Sequence, residues 1–235
     1  MRKLAYSVST REHWISGLGG FAGILAALWV TQFWLEGHSV LFAVASIGSS
    51  AVLLFAAPHG AMSQPWPVVG GHLVSAFIGV ACVRWFGDDL MVAASLAVGL
   101  SITAMYGMRC LHAPGGATAL YAVLGGPAVH ALGYSFVFSP VLLNVLVLVA
   151  VAVAFNYPLA WRRYPQIWHA RCHDPVTGAK EMCMIPHSSL VYALSQIDTF
   201  VDVSEEDLQQ IYTLAMHAHH ENPPVALGQP AMASA

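Results

Sequence analysis

An arginine and a histidine precede a proline and two glycines in the stretch RCLHAPGGATALYAV, at residues 109–123. Proline is favoured in the first turn of a helix, because the N–H group that it lacks would have no partner there. The glycines leave the first backbone N–H groups uncovered, and such a helix end attracts anions. The pattern predicts an anion site made of Arg109, His112, Pro114, Gly115 and Gly116. The alternative is that the glycines only allow close packing and His112 only caps the helix.

A second helix start of this kind is predicted at Gly48, Ser49 and Ser50. Two helix starts that converge at the middle of a membrane form an anion site in transporters with broken helices. His72 and Asn144 are polar residues within other apolar segments. Polar groups inside a membrane are costly, and they are usually functional or paired. We add both residues to the predicted anion path, with hydrogen bonding between helices as the alternative.

The twelve histidines raise the question of a metal site. His169 and His173 flank Cys172, and three more histidines lie within 217–220, but neither group has a second ligand pair at a recognised spacing. No Ser-His-Asp arrangement, carboxylate pair or phosphate-binding loop occurs in the sequence. We therefore predict no metal, no cofactor and no enzymatic activity. An intramembrane metal enzyme is the third alternative, after a transporter or channel and a membrane scaffold or sensor.

The composition indicates that the elements holding these residues lie in a membrane. Hydrophobic residues make up 57% of the 235-residue chain and charged residues 9%, against about 25% in a typical soluble domain. No charged residue occurs at 37–83 or at 113–161, and a spanning helix needs about 20 apolar residues. No basic stripe suggests nucleic acid. The lipid bilayer is therefore the first predicted partner.

Five long apolar segments and one short one make up this region, at residues 14–35, 40–57, 68–86, 90–110, 134–158 and 114–124. The predicted fold class is all-α: a polytopic membrane helix bundle of four spans plus two short or re-entrant helices. Arginines before the first segment and after the last place both termini in the cytoplasm, which requires an even number of crossings. Six spans are the alternative. Arg84 lies on the cytoplasmic side if there are four spans, and Arg109 lies there if there are six, so one arginine supports each topology.

The two halves of the chain resemble each other. The stretch GSSAVLLFA at 48–56 is similar to GGATALYAV at 115–123, so the region divides into two three-segment repeats near 14–86 and 90–158, or the match is a coincidence of composition. The predicted domains are an N-terminal cytoplasmic arm, a transmembrane domain, a cytoplasmic tail with an amphipathic helix and a disordered end, at 1–13, 14–161, 162–221 and 222–235.

Four stretches resemble the HPP family of integral membrane proteins: IGSSAVLLFAAP, QPWPVVGGHLVSAFIGV, RCLHAPGGATALYAVLGG and LLNVLVLVAVAVAFNYPLAWRRYP. They cover nearly the whole membrane region in order. The resemblance implies four spans, and it implies small-anion transport, because plastid and cyanobacterial relatives are nitrite transporters. The namesake His-Pro-Pro motif carries over as His112 and Pro114, followed by Gly115, Gly116 and Thr118.

Ala113 departs from that motif, because it stands where the family has its first proline. An alanine before a proline is still biased away from the helical conformation, so we expect the break in the chain to survive. Some relatives continue into nucleotide-sensing CBS domains, for which residues 162–235 are too short.

The sequence thus predicts a multi-pass inner-membrane transporter or channel for a small inorganic anion, with nitrite the leading candidate and a homo-oligomer as its assembly. The alternative is a membrane scaffold or sensor that does not transport and signals through its C-terminal tail.

Overall fold

The computed structural model describes residues 9–34, 44–168 and 212. The chain divides into two compact units, residues 1–174 and 175–235, and Tyr212 is the one described residue of the second. The predicted tail helix, the disordered end and the histidines at 169–173 and 217–220 lie outside the described residues. Every regular element among the residues described is helical, which confirms the all-α prediction.

The described residues of the first unit form four long α-helices and three shorter ones. The long ones are α1 (Thr10–Trp34), α3 (Pro65–Phe86), α4 (Leu90–Gly107) and α7 (Leu143–Asn156), the last preceded by a π-type turn at Val137–Leu142. The shorter ones are α2 (Val44–Ala56), α5 (Ala113–Leu124) and α6 (Pro127–Leu132). Four stretches are long and apolar enough to cross a membrane, namely Thr10–Gln32, Pro65–Phe86, Leu90–Gly107 and Val137–Asn156. This agrees with the predicted four long apolar helices and two short ones, α2 and α5, among the described residues.

The outer faces of these helices are apolar. On α1 a stripe at helical spacing is exposed, formed by Trp14, Leu18, Phe21, Leu25 and Trp29. Exposed apolar surface of this extent is costly in water and is the expected surface of a helix that faces lipid tails. The structure therefore agrees with the composition in describing a membrane bundle.

Successive helices reverse direction, apart from the six-residue α6. Gly71 faces His112, and Gly79 faces Ala119 and Ala122, so α3 and α5 run the same way. The indole N–H of Trp66 donates to the carbonyl oxygen of Met108 (3.2 Å), which places the end of α4 beside the start of α3. Arg109 therefore lies at the same end of the bundle as Arg162, as in the six-crossing alternative, while Arg84 lies at the other end.

The packing of α1, α2 and α3 is repeated by α4, α5 and α7. Helix α1 contacts α2 and α7, and its counterpart α4 contacts α5 and α3. Likewise α3 contacts α5, and α7 contacts α2. The two short helices at equivalent positions in the repeats, α2 and α5, also contact each other. Because α1 and α4 run in opposite directions, the repeats are inverted. The boundaries differ slightly from the prediction, since α1 begins at Thr10 rather than at residue 14.

The start of α1 and the residues after α7 are joined by a group that we call the end cluster: the buried Asn156 and Arg162 with the half-buried Glu12 and Ser16. The Arg162 guanidinium forms an ion pair with Glu12 and donates to Ser16 Oγ (3.1 Å), Asn156 Oδ1 (3.1 Å) and the Phe55 carbonyl oxygen. Burial lowers the pKa of Arg162, and the Glu12 carboxylate opposes that shift. The cluster connects the start of α1 to the ends of α2 and α7.

Candidate functional site

Four polar side chains meet where the two short helices cross. We call them the histidine cluster: Ser50 on α2, His72 on α3, and His112 and Thr118 at the start and middle of α5. All four are buried, with at most 1% of the side chain exposed. Three helices thus bring together residues that lie up to 68 positions apart in the sequence (118 − 50).

The break in the chain between α4 and α5 positions His112. Its backbone is extended (φ −144°, ψ 105°), and α5 begins at the next residue with a proline in its first turn, as predicted. His112 occupies the N-cap position of α5, but its side chain makes no capping hydrogen bond, so its ring does not cap the helix. Instead, the ring points across to α2 and α3.

A glycine on α3 allows this approach. A Cβ atom at Gly71 would lie 2.6 Å from the Cβ of His112, well inside van der Waals contact. Gly115 is equally constrained, because a Cβ there would lie 2.8 Å from both the Gly71 carbonyl oxygen and Ser75 Oγ. The close contact between α3 and α5 therefore depends on small residues, as is usual for helices in lipid.

The hydroxyl of Ser50 bridges the two histidines. Its oxygen lies 2.7 Å from His72 Nε2 and 2.8 Å from His112 Nε2. At the outer ends, His72 Nδ1 lies 2.7 Å from Thr118 Oγ1 and His112 Nδ1 lies 2.9 Å from the Met62 carbonyl oxygen. The result is a continuous chain of four hydrogen bonds.

The carbonyl at one end sets the direction of every bond in this chain. A carbonyl oxygen only accepts, so His112 must carry its proton on Nδ1 and, when neutral, accept at Nε2 from Ser50. Ser50 then accepts from His72 Nε2–H, and His72 accepts at Nδ1 from the Thr118 hydroxyl. The two neutral histidines are therefore opposite tautomers, and each donor in the chain has an acceptor.

The other predicted site residues lie around this cluster or apart from it. Arg109 is exposed in the turn before α5, with a left-handed backbone (φ 53°). Pro114 is buried, and a Cβ at Gly116 would meet open space. The N–H of Gly115 was expected to be free. It instead donates to the His112 carbonyl oxygen (2.8 Å).

The predicted helix start at Gly48, Ser49 and Ser50 is wrong. Helix α2 begins at Val44, so these residues lie in its second turn. Ser49 is exposed and donates to the Ser46 carbonyl oxygen (2.8 Å), and a Cβ at Gly48 would meet open space. Helices α2 and α5 therefore contact each other along their sides and do not meet at their starts. The sequence similarity between the repeats had suggested two equivalent helix starts.

Asn144 belongs to a separate contact between α1 and α7. Its Oδ1 accepts a hydrogen bond from Thr31, while its buried Nδ2 has no hydrogen-bond partner among the described residues. Sequence reasoning missed two parts of the site. The Met62 carbonyl leaves no signal in a sequence, and Ser75, which packs against Gly115, resembles the many other small residues of α3. Within the described ranges no group of three histidine, cysteine or acidic side chains is placed to hold a metal ion.

The apolar helices and their inverted packing define a polytopic membrane protein built from two repeats, with a buried polar cluster where the repeats meet. A family model for the HPP transmembrane region matches residues 5–165. The chain therefore belongs to the HPP family, as the sequence motifs indicated.

Two transmembrane proteins of Dictyostelium discoideum are similar to the chain. One is 35% identical over 157 residues, which is 65% of this chain and 50% of the relative. The other is 34% identical over 155 residues, or 64% of this chain and 54% of the relative. The chain thus spans about half the length of these relatives. No solved structure matches the chain significantly.

Proposed function

We propose that the protein carries a small inorganic anion across the membrane, nitrite first among the candidates, along a route past the histidine cluster. The observation that carries this proposal is a pair of fully buried histidines, held between two short helices of opposite repeats. Ionisable groups at such depth are expensive and mark the routes of ions and substrates. Inverted repeats with interrupted helices place substrate sites at the same position in transporters.

The surroundings of the cluster support an anion rather than a cation. In the described helices α2, α3, α4, α5 and α7 no aspartate or glutamate occurs. The histidines themselves can become positive, and Arg109 is exposed at the end of the bundle nearest His112. We propose that Arg109 raises the local anion concentration and that Gly48 and Gly116, which adjoin open space, border the route.

We propose that the shared end of α1 and α7 lies in the cytoplasm, because arginines follow the last span and such residues favour that side. In this proposal the protein is a multi-pass inner-membrane protein with both termini inside. Residues 162–221 form the cytoplasmic tail in this arrangement. A homo-oligomer is proposed because a single small bundle offers little room for a pore.

Nitrite uptake by proteoliposomes that hold the purified protein tests the proposal. We expect uptake above that of protein-free vesicles, and a loss of at least about tenfold for His112→Ala, because the variant removes the ring on which the cluster depends. His130→Ala is the matched control, since that exposed histidine bonds only to a carbonyl near the far end of α5 (2.8 Å). Absence of uptake in a protein that is monodisperse and melts cooperatively would support the scaffold or sensor instead.

A further inference from the structure

We infer that the histidine cluster takes up one proton together with each anion, so that transport is electroneutral proton–anion symport. The inference rests on the proposed function and specifies its coupling. It is carried by the hydrogen-bond geometry of Ser50, His72, His112 and Thr118, together with the absence of a counter-charge near them in the described helices.

Each hydroxyl of the cluster has a second acceptor within reach. Thr118 Oγ1 lies 3.5 Å from the Pro114 carbonyl oxygen, and Ser50 Oγ lies 3.3 Å from the Ser46 carbonyl oxygen. When a proton is added at His72 Nδ1, the Thr118 hydroxyl turns to Pro114 and its oxygen accepts from the imidazolium. No donor loses its acceptor in this step, so the cluster has a place for an extra proton.

The extra proton can also cross from one ring to the other. His72 Nε2–H passes its proton to Ser50 Oγ, and the Ser50 hydroxyl passes its own proton to His112 Nε2. His72 is then neutral, with its proton on Nδ1, and His112 is the imidazolium, which donates to Ser50 and to Met62. The number of protons and the net charge of +1 are unchanged, and every hydrogen bond of the cluster is kept.

Only one proton fits at a time. The ring centroids of His72 and His112 lie 5.0 Å apart, and two positive charges at that separation repel strongly where water is excluded. The loaded cluster therefore has a single positive charge, which is the charge that one monovalent anion neutralises.

No acidic side chain of the described residues neutralises that charge. The acids are Glu12, Asp88 and Asp89. Glu12 is paired with Arg162, and both aspartates follow the far end of α3, about 21 Å along the helix from His72 by the rise of 1.5 Å per residue. A buried charge without a partner is strongly unfavourable, so protonation of the cluster and binding of an anion must favour each other.

Other titratable or charged side chains on the packed elements are few. Those on α3, on α4, in the turn before α5, and on α5 are Cys82, Arg84, Tyr106, Arg109, Cys110 and Tyr121, and α2 has none. None of these groups is negatively charged at neutral pH. The anion itself is therefore the counter-charge that the cluster needs.

Nitrite uptake under two separate driving forces tests the inference. In one arm the outside of the proteoliposomes is acidic and valinomycin with equal potassium holds the membrane potential at zero. In the other arm the pH is equal and a potassium gradient makes the inside positive. Protein-free vesicles measure the leak of nitrous acid, and all rates are taken above that leak.

Symport predicts uptake driven by the pH gradient alone, with an accumulation of about tenfold per pH unit for one proton per anion. Uptake driven by the potential, without a response to the pH gradient, would overturn the inference and leave the proposed function intact. No protein-dependent uptake in either arm, from protein that is folded by its melting curve, would overturn both.

A binding measurement keeps the test independent of transport. Nitrite is added to the purified protein in weakly buffered detergent solution, and proton uptake is followed with a pH indicator. We expect about one proton per bound anion, and none for the double variant His72→Gln, His112→Gln, whose amides bond but do not take up a proton. Anion binding without proton uptake by the unaltered protein would contradict the inference.

Discussion

The end cluster, built around the buried Arg162, and the buried histidine cluster both join distant parts of the chain, but the charge at their centres is compensated in opposite ways. Arg162 has its counter-charge in Glu12 and further acceptors for the rest of its guanidinium. Within the described part of the chain, the hydrogen-bond partners of His72 and His112 are hydroxyl and carbonyl groups only. A permanent charge is fully compensated in the first cluster, whereas a titratable group lacks a counter-charge in the second.

This difference fits a structural role for the end cluster and the proposed transport role for the histidine cluster. The end cluster has one stable arrangement, because removing any partner leaves a buried charge or carbonyl unsatisfied. The histidine cluster has several arrangements of protons that satisfy the same four side chains. Substitutions in the end cluster should therefore lower stability most, and substitutions in the histidine cluster should mainly alter transport.

The largest loss of stability is expected for Arg162→Met. It leaves the half-buried Glu12 without its ion-pair partner, and it removes the donors to Asn156 and the Phe55 carbonyl. Loss of one member of a buried pair costs about 3 kcal/mol or more. Thermal unfolding in detergent measures the effect, with the exposed neighbour changed in Arg163→Met as the control. Equal melting temperatures for the two variants would show that the end cluster is not a structural tie.

Gly115→Ala should come next. Its new methyl group would lie 2.8 Å from the Gly71 carbonyl oxygen and Ser75 Oγ, so α5 must move away from α3 at the cluster. Overpacking of this kind costs about 1–3 kcal/mol, and nitrite uptake should fall with the displaced His112. Gly99→Ala on α4, whose methyl group also enters open space and lies outside the proposed route, should keep both stability and uptake. If both variants behave alike, the close contact of α3 and α5 does not position the site.

Ser50→Ala should lower stability by a smaller amount, about 1–2 kcal/mol, because it leaves two buried imidazole nitrogens without their shared partner. The effect on transport should be larger, since the variant separates His72 from His112. Unfolding curves and uptake rates are compared with those of Ser49→Ala, which removes an exposed hydroxyl. A variant at Ser50 that transports normally would contradict the bridging role.

The most detailed test observes the tautomers of the two histidines in the unaltered protein. Protein labelled with ¹⁵N in its histidines should show, at neutral pH and without an anion, His72 protonated on Nε2 and His112 protonated on Nδ1. The Met62 carbonyl requires this order, because it can only accept. Spectra of His72→Gln and His112→Gln assign the signals. The same tautomer on both rings would show that the chain of hydrogen bonds is broken.

Much of the architecture could be predicted from sequence periodicity and charge alone. The uncharged runs indicated the membrane region, and the Pro-Gly-Gly stretch indicated the start of α5 at Ala113. The family motifs also named His112, and the matching family model confirmed the membership. These features are local, because a span is defined by its own length and hydrophobicity and a helix start by its own backbone.

The site could be predicted only in part. His72, His112 and Ser50 were all chosen from the sequence, but for separate reasons, and Asn144 was added to the same path although it lies against α1. The similarity between residues 48–56 and 115–123 suggested two matching helix starts, whereas α2 already begins at Val44. Small residues in both repeats look alike in a sequence and meet different neighbours in the bundle.

The sequence by itself determined that the chain forms apolar helices, where its broken helix begins and which polar residues lie within the membrane region. The tertiary structure decided that Ser50 connects two histidines, that Met62 orders their protons and that no described acid approaches them. The physical reason is the separation along the chain of the groups that interact. Hydrophobicity and backbone preference act within a segment, while a hydrogen-bond chain across three helices exists only after those helices have packed.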